Sequence, residues 1–187
     1  MGIFSYLFQR KDDDRELSRQ YVGHVFDFGC EVSPSLAKVF QSFDTVKKGE
    51  IVLFDCESAK MHAVYAILGT SLAILKGHSR LMSADRGAKV ERLCKQSIEN
   101  DYNFQPHDAI WQIAKLNAYQ EIFQKSISNK NYPFEAITEF FLSECLGHEI
   151  SKLWLPATGS VNLYILQVMA DTMLIAITQA LEFWEGK

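Results

Sequence analysis

The chain has 187 residues, 48% of them hydrophobic and 22% charged, which is the composition of one ordinary globular domain and excludes a disordered chain. A formal charge of −4, without a run of Lys or Arg, excludes a general nucleic-acid binder, because such a protein must neutralise phosphates. Only four prolines and ten glycines punctuate the chain, which leaves room for long helices and too few turn residues for a many-stranded β fold.

The opening stretch, Met1-Gly-Ile-Phe-Ser-Tyr-Leu-Phe, lacks the leading positive charge and the small-residue cleavage site of a secretory signal. Tyr6 stands where a myristoylation motif needs Ser or Thr. Residues 1–11 form an apolar segment before Asp12-Asp-Asp14, whose carboxylates suit the positive end of a helix dipole. A helix is expected from there to about Phe28, burying Leu17, Tyr21, Val25 and Phe28, with Gly29 as its left-handed stop. Ser33-Pro34 then reads as a cap and first-turn proline of a second helix. That helix carries Leu36, Val39, Phe40, Phe43 and Val46 at helical spacing, Lys47 and Lys48 at its C-terminal end, and Gly49 as its stop.

From Glu50 to Lys76, Ile51, Phe54, Ser58, Met61, Tyr65, Leu68, Leu72 and Leu75 alternate three and four apart, the seam of a helix packed nearly parallel to its neighbours. Ile51 to Phe54 alone would also suit a strand; the continuing register favours helix, ended by Gly77. Ser79 or Ser83 caps a further helix to about Tyr102, with Val90, Leu93, Cys94, Ile98 and Tyr102 inward. Pro106 opens the next, from His107 to Ser128, on Ile110, Ile113, Ala114, Ile122 and Phe123. Asn129-Lys-Asn131 is a turn. Pro133 starts a helix to about Ile150 that buries Phe134, Ile137, Phe141 and Cys145.

After a break at Pro156 to Gly159, the stretch from Ser160 to Trp184 is the most apolar. Its length would cross a bilayer core, but Gln167, Asp171, Thr178 and Glu182 fall on one stripe, and an Asp at mid-membrane is costly. It is expected to be a core helix, with no transmembrane segment in the chain. The fold class expected is all-α, a single-domain bundle of about six or seven helices over residues 1–187, with the two apolar elements at its centre.

No motif carries chemistry. His148-Glu149 would open a zincin helix, but Lys152 occupies the second histidine position. Glu144 and His148 are four apart, whereas a di-iron carboxylate site wants Glu-x-x-His. His107-Asp108 after Pro106 reads as a helix start. Glycine-rich phosphate loops and a Gly-x-Ser-x-Gly elbow are absent from the sequence. The basic segment Arg80, Arg86, Lys89, Arg92 and Lys95, interleaved with Asp85 and Glu91, reads as a solvated helix face. Cys30, Cys56, Cys94 and Cys145 are too scattered for zinc or redox pairing, so a reducing cytoplasm is expected, and neither metal nor cofactor.

What remains are polar residues on apolar helices. His62, beside the seam, and Gln167 and Asp171 on the last helix must be surface-exposed, satisfied internally, or lining a pocket between those two helices. The apolar Ile3, Phe4, Tyr6, Leu7 and Phe8, and Phe183-Trp184 at the other end, either fold back on the core or meet a protein partner or a second copy. The function expected is a non-enzymatic helical interaction module, such as a regulator, an inhibitor or immunity-type protein, or a chaperone. The alternative is a small-molecule- or cofactor-binding protein or enzyme with a pocket inside the bundle; a self-assembling subunit is the third reading.

Overall fold

A computed structural model describes residues 3–41, 56–77, 80–101, 109–146, 154–155, 160–161, 163–185 and 187. The chain is an all-α bundle. Among the described residues its helices are α1 (Ile3–Gln41), α2 (Cys56–Gly77), α3 (Ala84–Asn100), α4 (Ala109–Ser128), α5 (Pro133–Leu146) and α6 (Leu163–Glu182). A two-residue antiparallel ladder, β1 (Trp154–Leu155) with β2 (Ser160–Val161), precedes α6.

The bundle is a ring around one helix. α1, α3, α4, α5 and α6 each pack on α2, and each also packs on the next around the circle, with α6 closing onto α1. The seam expected on α2 is correct but too modest. Every residue from His62 to Ala73 is buried, so the helix is covered on all sides. Small residues (Ala63, Ala66, Gly69, Thr70, Ser71, Ala73) alternate with Val64, Ile67, Leu68 and Leu72, which lets backbones approach from several directions.

α6 is not a second centre. Ile165, Met169, Ala170, Met173, Ala176, Ile177 and Ala180 face inward, while Gln167, Asp171, Ile175, Thr178, Gln179 and Glu182 are exposed. Among the described residues this helix alone is long and apolar enough to cross a membrane, a test that a buried core helix also passes. Its outer stripe is the polar one expected.

Two helices expected in the N-terminal third are one helix of 39 residues, so the stop at Gly29 and the restart at Ser33-Pro34 are corrected. A single buried stripe continues through both positions: Ser18, Tyr21, Val25, Gly29, Ser33 and Leu36. Gly29 is there for clearance, not for a turn. A Cβ on it would lie 2.7 Å from Val64 Cγ2 and 3.0 Å from Val64 Cα on α2. Pro34 sits on the exposed side, where a missing ladder hydrogen bond costs least. Asp12 to Asp14 likewise do not start α1, which already runs from Ile3.

α3 begins at the expected cap, with Ser83 Oγ accepting from the Arg86 N–H at 3.3 Å. Its Gly87 lies against α2 so closely that a Cβ would meet the Leu75 carbonyl oxygen at 2.3 Å. The face expected of α4 is corrected in part: Phe123 is buried and Ile122 packs on the core as expected, but Ile110 is 82% exposed and Ala114 is exposed, while Gln112, Leu116, Tyr119, Gln120 and Ser126 are buried. Gln120 can face inward because it meets a polar group: its Oε1 accepts from Lys95 Nζ of α3 at 3.2 Å. At the C-terminal end, Phe183 and Trp184 fold back on α1, their rings 5.3 and 5.2 Å from that of Tyr21. The expectations at Ile51 to Phe54, Val46 to Gly49, Ser79, Pro106 to Asp108, His148-Glu149, Lys152 and Pro156 to Gly159 lie outside the described residues.

Candidate functional site

Gly69 of α2 gives α4 a close approach; a Cβ there would stand 2.8 Å from the Leu116 carbonyl oxygen. One to two turns away, this contact sets His62 and Tyr65 of α2 against Trp111 and Lys115 of α4 and Glu144 of α5. His62 Nδ1 lies 3.7 Å from Glu144 Oε2, and the same oxygen accepts a hydrogen bond from Lys115 Nζ. The ammonium also sits 5.1 Å from the centre of the Trp111 ring and 5.9 Å from that of Phe140, within cation–π range. His62, Tyr65 and Trp111 meet edge to face at 5.7 to 6.4 Å. The Tyr65 and Tyr119 hydroxyls have no hydrogen-bond partner among the described residues, and burial pushes both phenols well above their ordinary range. This cluster is an imidazole, a carboxylate and an ammonium walled by rings.

Of the residues expected to line a pocket, only His62 is here. Gln167 and Asp171 do not face α2, so the pocket expected between His62 and α6 is corrected: both lie on the outer stripe of α6. Ile3, Phe4, Tyr6, Leu7 and Phe8 form the first turns of α1; their side chains lie outside the described residues. Lys115 was invisible to sequence reasoning because it is one lysine on an amphipathic helix. Glu144 was noticed only for its spacing to His148, since no local pattern reveals a partner on α2 or α4.

The outer face of α5 and α6 is the second arrangement. α4 ends in a Schellman motif, with the Asn131 N–H bonded to the Ser126 carbonyl at 2.9 Å and that of Lys130 to Ile127 at 3.0 Å. Lys130 occupies the left-handed position, φ 58°, that glycine usually fills. The turn holds out Ile127 and Tyr132, and Tyr132 is 41% exposed. Burial, the charges of Asp171 and Glu135, and a hydrogen bond to Asp171 together raise the Tyr132 phenol above its ordinary value. One turn beyond Asp171 on α6, Ile175 is 58% exposed. Apolar and acidic groups thus alternate across the α4–α5 turn and α6.

Of the basic segment, Arg80 and Arg92 are exposed, as a solvated face would have them, while Arg86, Lys89 and Lys95 are corrected to ties between helices. Asp14 of α1 accepts from Lys89 Nζ at 2.6 Å and from Arg86 Nε at 3.1 Å. Glu91 accepts from Lys95 at 2.6 Å and faces Lys76 of α2 at 3.0 Å. Burial raises both carboxyls, but hydrogen bonds and charge from these cations outweigh it and hold them below the ordinary carboxylate range. A polar groove of about 710 Å³ runs beside Asp14, Gln20, Ser83 and Arg86, where the guanidinium is already held by Asp14. Among the described residues no group of three His, Cys, Asp or Glu is placed to hold a metal ion. Cys30, Cys94 and Cys145 form no disulfide, and burial pushes the Cys94 thiol up to about 12, leaving it unreactive.

No family model, no curated protein and no solved structure matches the chain.

Proposed function

We infer that the protein is a non-enzymatic helical module that works by binding another protein. The observation that carries this reading is the outer face at the α4–α5 turn and α6, where Tyr132 and Ile175 are held in solvent beside Asp171. An exposed tyrosine, large and tipped by a hydroxyl, beside an exposed isoleucine offers a partner contact area at low entropic cost. The apolar turns at Ile3, Phe4, Tyr6, Leu7 and Phe8 are a second contact region in this reading. The test is affinity capture from the native cell with the full chain and a Tyr132→Ser/Ile175→Asp variant. A protein recovered with the wild type and depleted at least tenfold with the variant supports the module; equal recovery on both sinks it.

A second reading is favoured by the ring-walled His62, Lys115 and Glu144, which have the makings of a ligand site inside the bundle. A coloured or metal-loaded species in freshly purified protein, lost on His62→Ala, would favour it over the first.

A further inference from the structure

α5 and α6 contain Glu135, Glu139, Glu144, Asp171 and Glu182, and neither helix contains a lysine or arginine. Glu144 turns inward to Lys115. The other four take no part in the ion pairs among the described residues, whose carboxylates are Asp14, Glu16, Glu91 and Glu144. α1 and α3 differ in carrying lysines and arginines of their own: there Asp14 and Glu91 are each held by two cations, although Asp27, Glu31, Asp85 and Glu99 also join no ion pair among the described residues. Ile110 is exposed at the far end of α4, but Tyr132 and Ile175 lie inside the acidic region: Tyr132 is within reach of Asp171 and Glu135, and Ile175 lies between Asp171 and Glu182 on one exposed stripe. Asp171 and Glu182 are eleven residues apart, so the stripe runs about 16 Å at 1.5 Å per residue. That is the length of three turns of a docked helix.

We propose that this face receives a cationic amphipathic helix of a partner protein, its apolar stripe on Tyr132 and Ile175 and its flanking Lys or Arg on Asp171, Glu182, Glu135 and Glu139. The proposal rests on the interaction reading above and names the partner's chemistry. Charge complementarity selects this occupant. A second copy of the same face would set these carboxylates against their own kind, and an anionic lipid surface would be repelled in the same way. An uncharged apolar helix would gain nothing from the rim, so the rim discriminates among helices that the apolar centre alone would accept.

The test uses the full chain and three synthetic 18-residue helices sharing one leucine face, flanked by lysine, by glutamate or by glutamine. Binding is read by fluorescence anisotropy at 50 and 300 mM salt. The lysine helix is expected to bind at least tenfold more tightly than the glutamine helix, with the glutamate helix weakest, and to weaken severalfold at the higher salt. Asp171→Asn/Glu182→Gln should cost it at least tenfold. Glu99→Gln/Asp101→Asn, which removes the same charge from exposed positions on and just after α3, should leave it unchanged. Circular dichroism confirms that each variant is folded. Equal binding of the lysine and glutamate helices, equal loss in both variants, or binding to neutral phosphatidylcholine vesicles that competes with the lysine helix overturns the proposal. If a cellular partner is lost with Tyr132→Ser/Ile175→Asp but kept with Asp171→Asn/Glu182→Gln, the interaction module stands and the cationic helix falls.

Discussion

Where α1 and α3 meet α2, the contacts are made by glycines against backbone and by carboxylates set between cations. Where α4, α5 and α6 close the ring, Gly69 apart, they are made by rings: Tyr119 on Phe140 at 4.9 Å, Phe123 on Phe134 at 6.1 Å, Trp111 on Tyr65 at 5.7 Å. On the first side Asp14 and Glu91 are each held by two cations. The second leaves Tyr132 and Ile175 exposed, beside carboxylates that join no ion pair among the described residues. There too the buried Tyr65 and Tyr119 hydroxyls, without a hydrogen-bond partner among the described residues, break the rule that buried polar groups are satisfied. Because such violations cost stability, they concentrate where something other than stability is being served. The difference teaches where to look for function and where to look for the fold's rigidity.

The largest effect that would break this comparison lies at Gly87. Its missing side chain faces backbone atoms, Leu75 O at 2.3 Å, Leu75 C at 2.7 Å and Lys76 Cα at 2.8 Å, so no rotamer can relieve an added methyl. Gly87→Ala must push α3 away from α2, a cost of about 3 kcal/mol, or a melting temperature lower by roughly 10 °C for a chain of this length. Gly77, at the end of α2, has nothing within 4 Å of the same methyl, and Gly77→Ala should stay within about 0.5 kcal/mol of wild type. Equal melting temperatures for the two variants would mean that α3 is not seated as tightly as its backbone contacts require.

A smaller effect sharpens the comparison through pH. The Asp14 and Glu91 carboxyls lie below their ordinary range in the folded chain, so the unfolded chain takes up protons first as pH falls. Their contribution is therefore complete at neutral pH, begins to fade near the ordinary carboxylate value of about 4, and is gone below the depressed folded value. Asp14→Asn removes one acceptor from between Arg86 and Lys89, whose side chains are about a third exposed and so partly solvated. The loss should be about 2 kcal/mol at pH 7 and smaller at pH 3, below the ordinary carboxylate value. Chemical denaturation at both values checks it; a loss that does not depend on pH would show that Asp14 acts by packing and not by charge.

The comparison also explains what could be read from residues alone. The cap at Ser83, the turn at Asn129 to Asn131 and the polar stripe on α6 were legible because each is a local pattern. Gly29 was misread because a glycine that ends a helix and one that admits a neighbouring helix look alike in a sequence; only Val64 on α2 distinguishes them. α4 was misread for a related reason. Its isoleucines suggested one face, but Gln112 and Gln120 are buried, and Gln120 is bonded to Lys95 of α3, a partner 25 residues away. His62 was picked out, whereas Lys115 and Glu144 could not be joined to it, being 53 and 82 residues away in sequence. The acidic character of α5 and α6, by contrast, could have been seen directly: no base occurs in either helix.

The smallest effect tests whether the turn presenting Tyr132 is itself held at a cost. Lys130 has a side chain where the Schellman motif favours none, with φ at 58°. A non-glycine residue in that region costs about 1 kcal/mol. Lys130→Gly keeps both closing hydrogen bonds, so it should raise stability by somewhat less than that, about 0.5 kcal/mol, since glycine also gains freedom in the unfolded chain. Thermal melts at matched concentration resolve the rise of roughly 1 to 2 °C this implies. The sign is what matters. A gain would place the strain beside the exposed Tyr132, on the side of the bundle where rules are broken; a loss would mean that the Lys130 side chain contributes more there than the left-handed backbone costs.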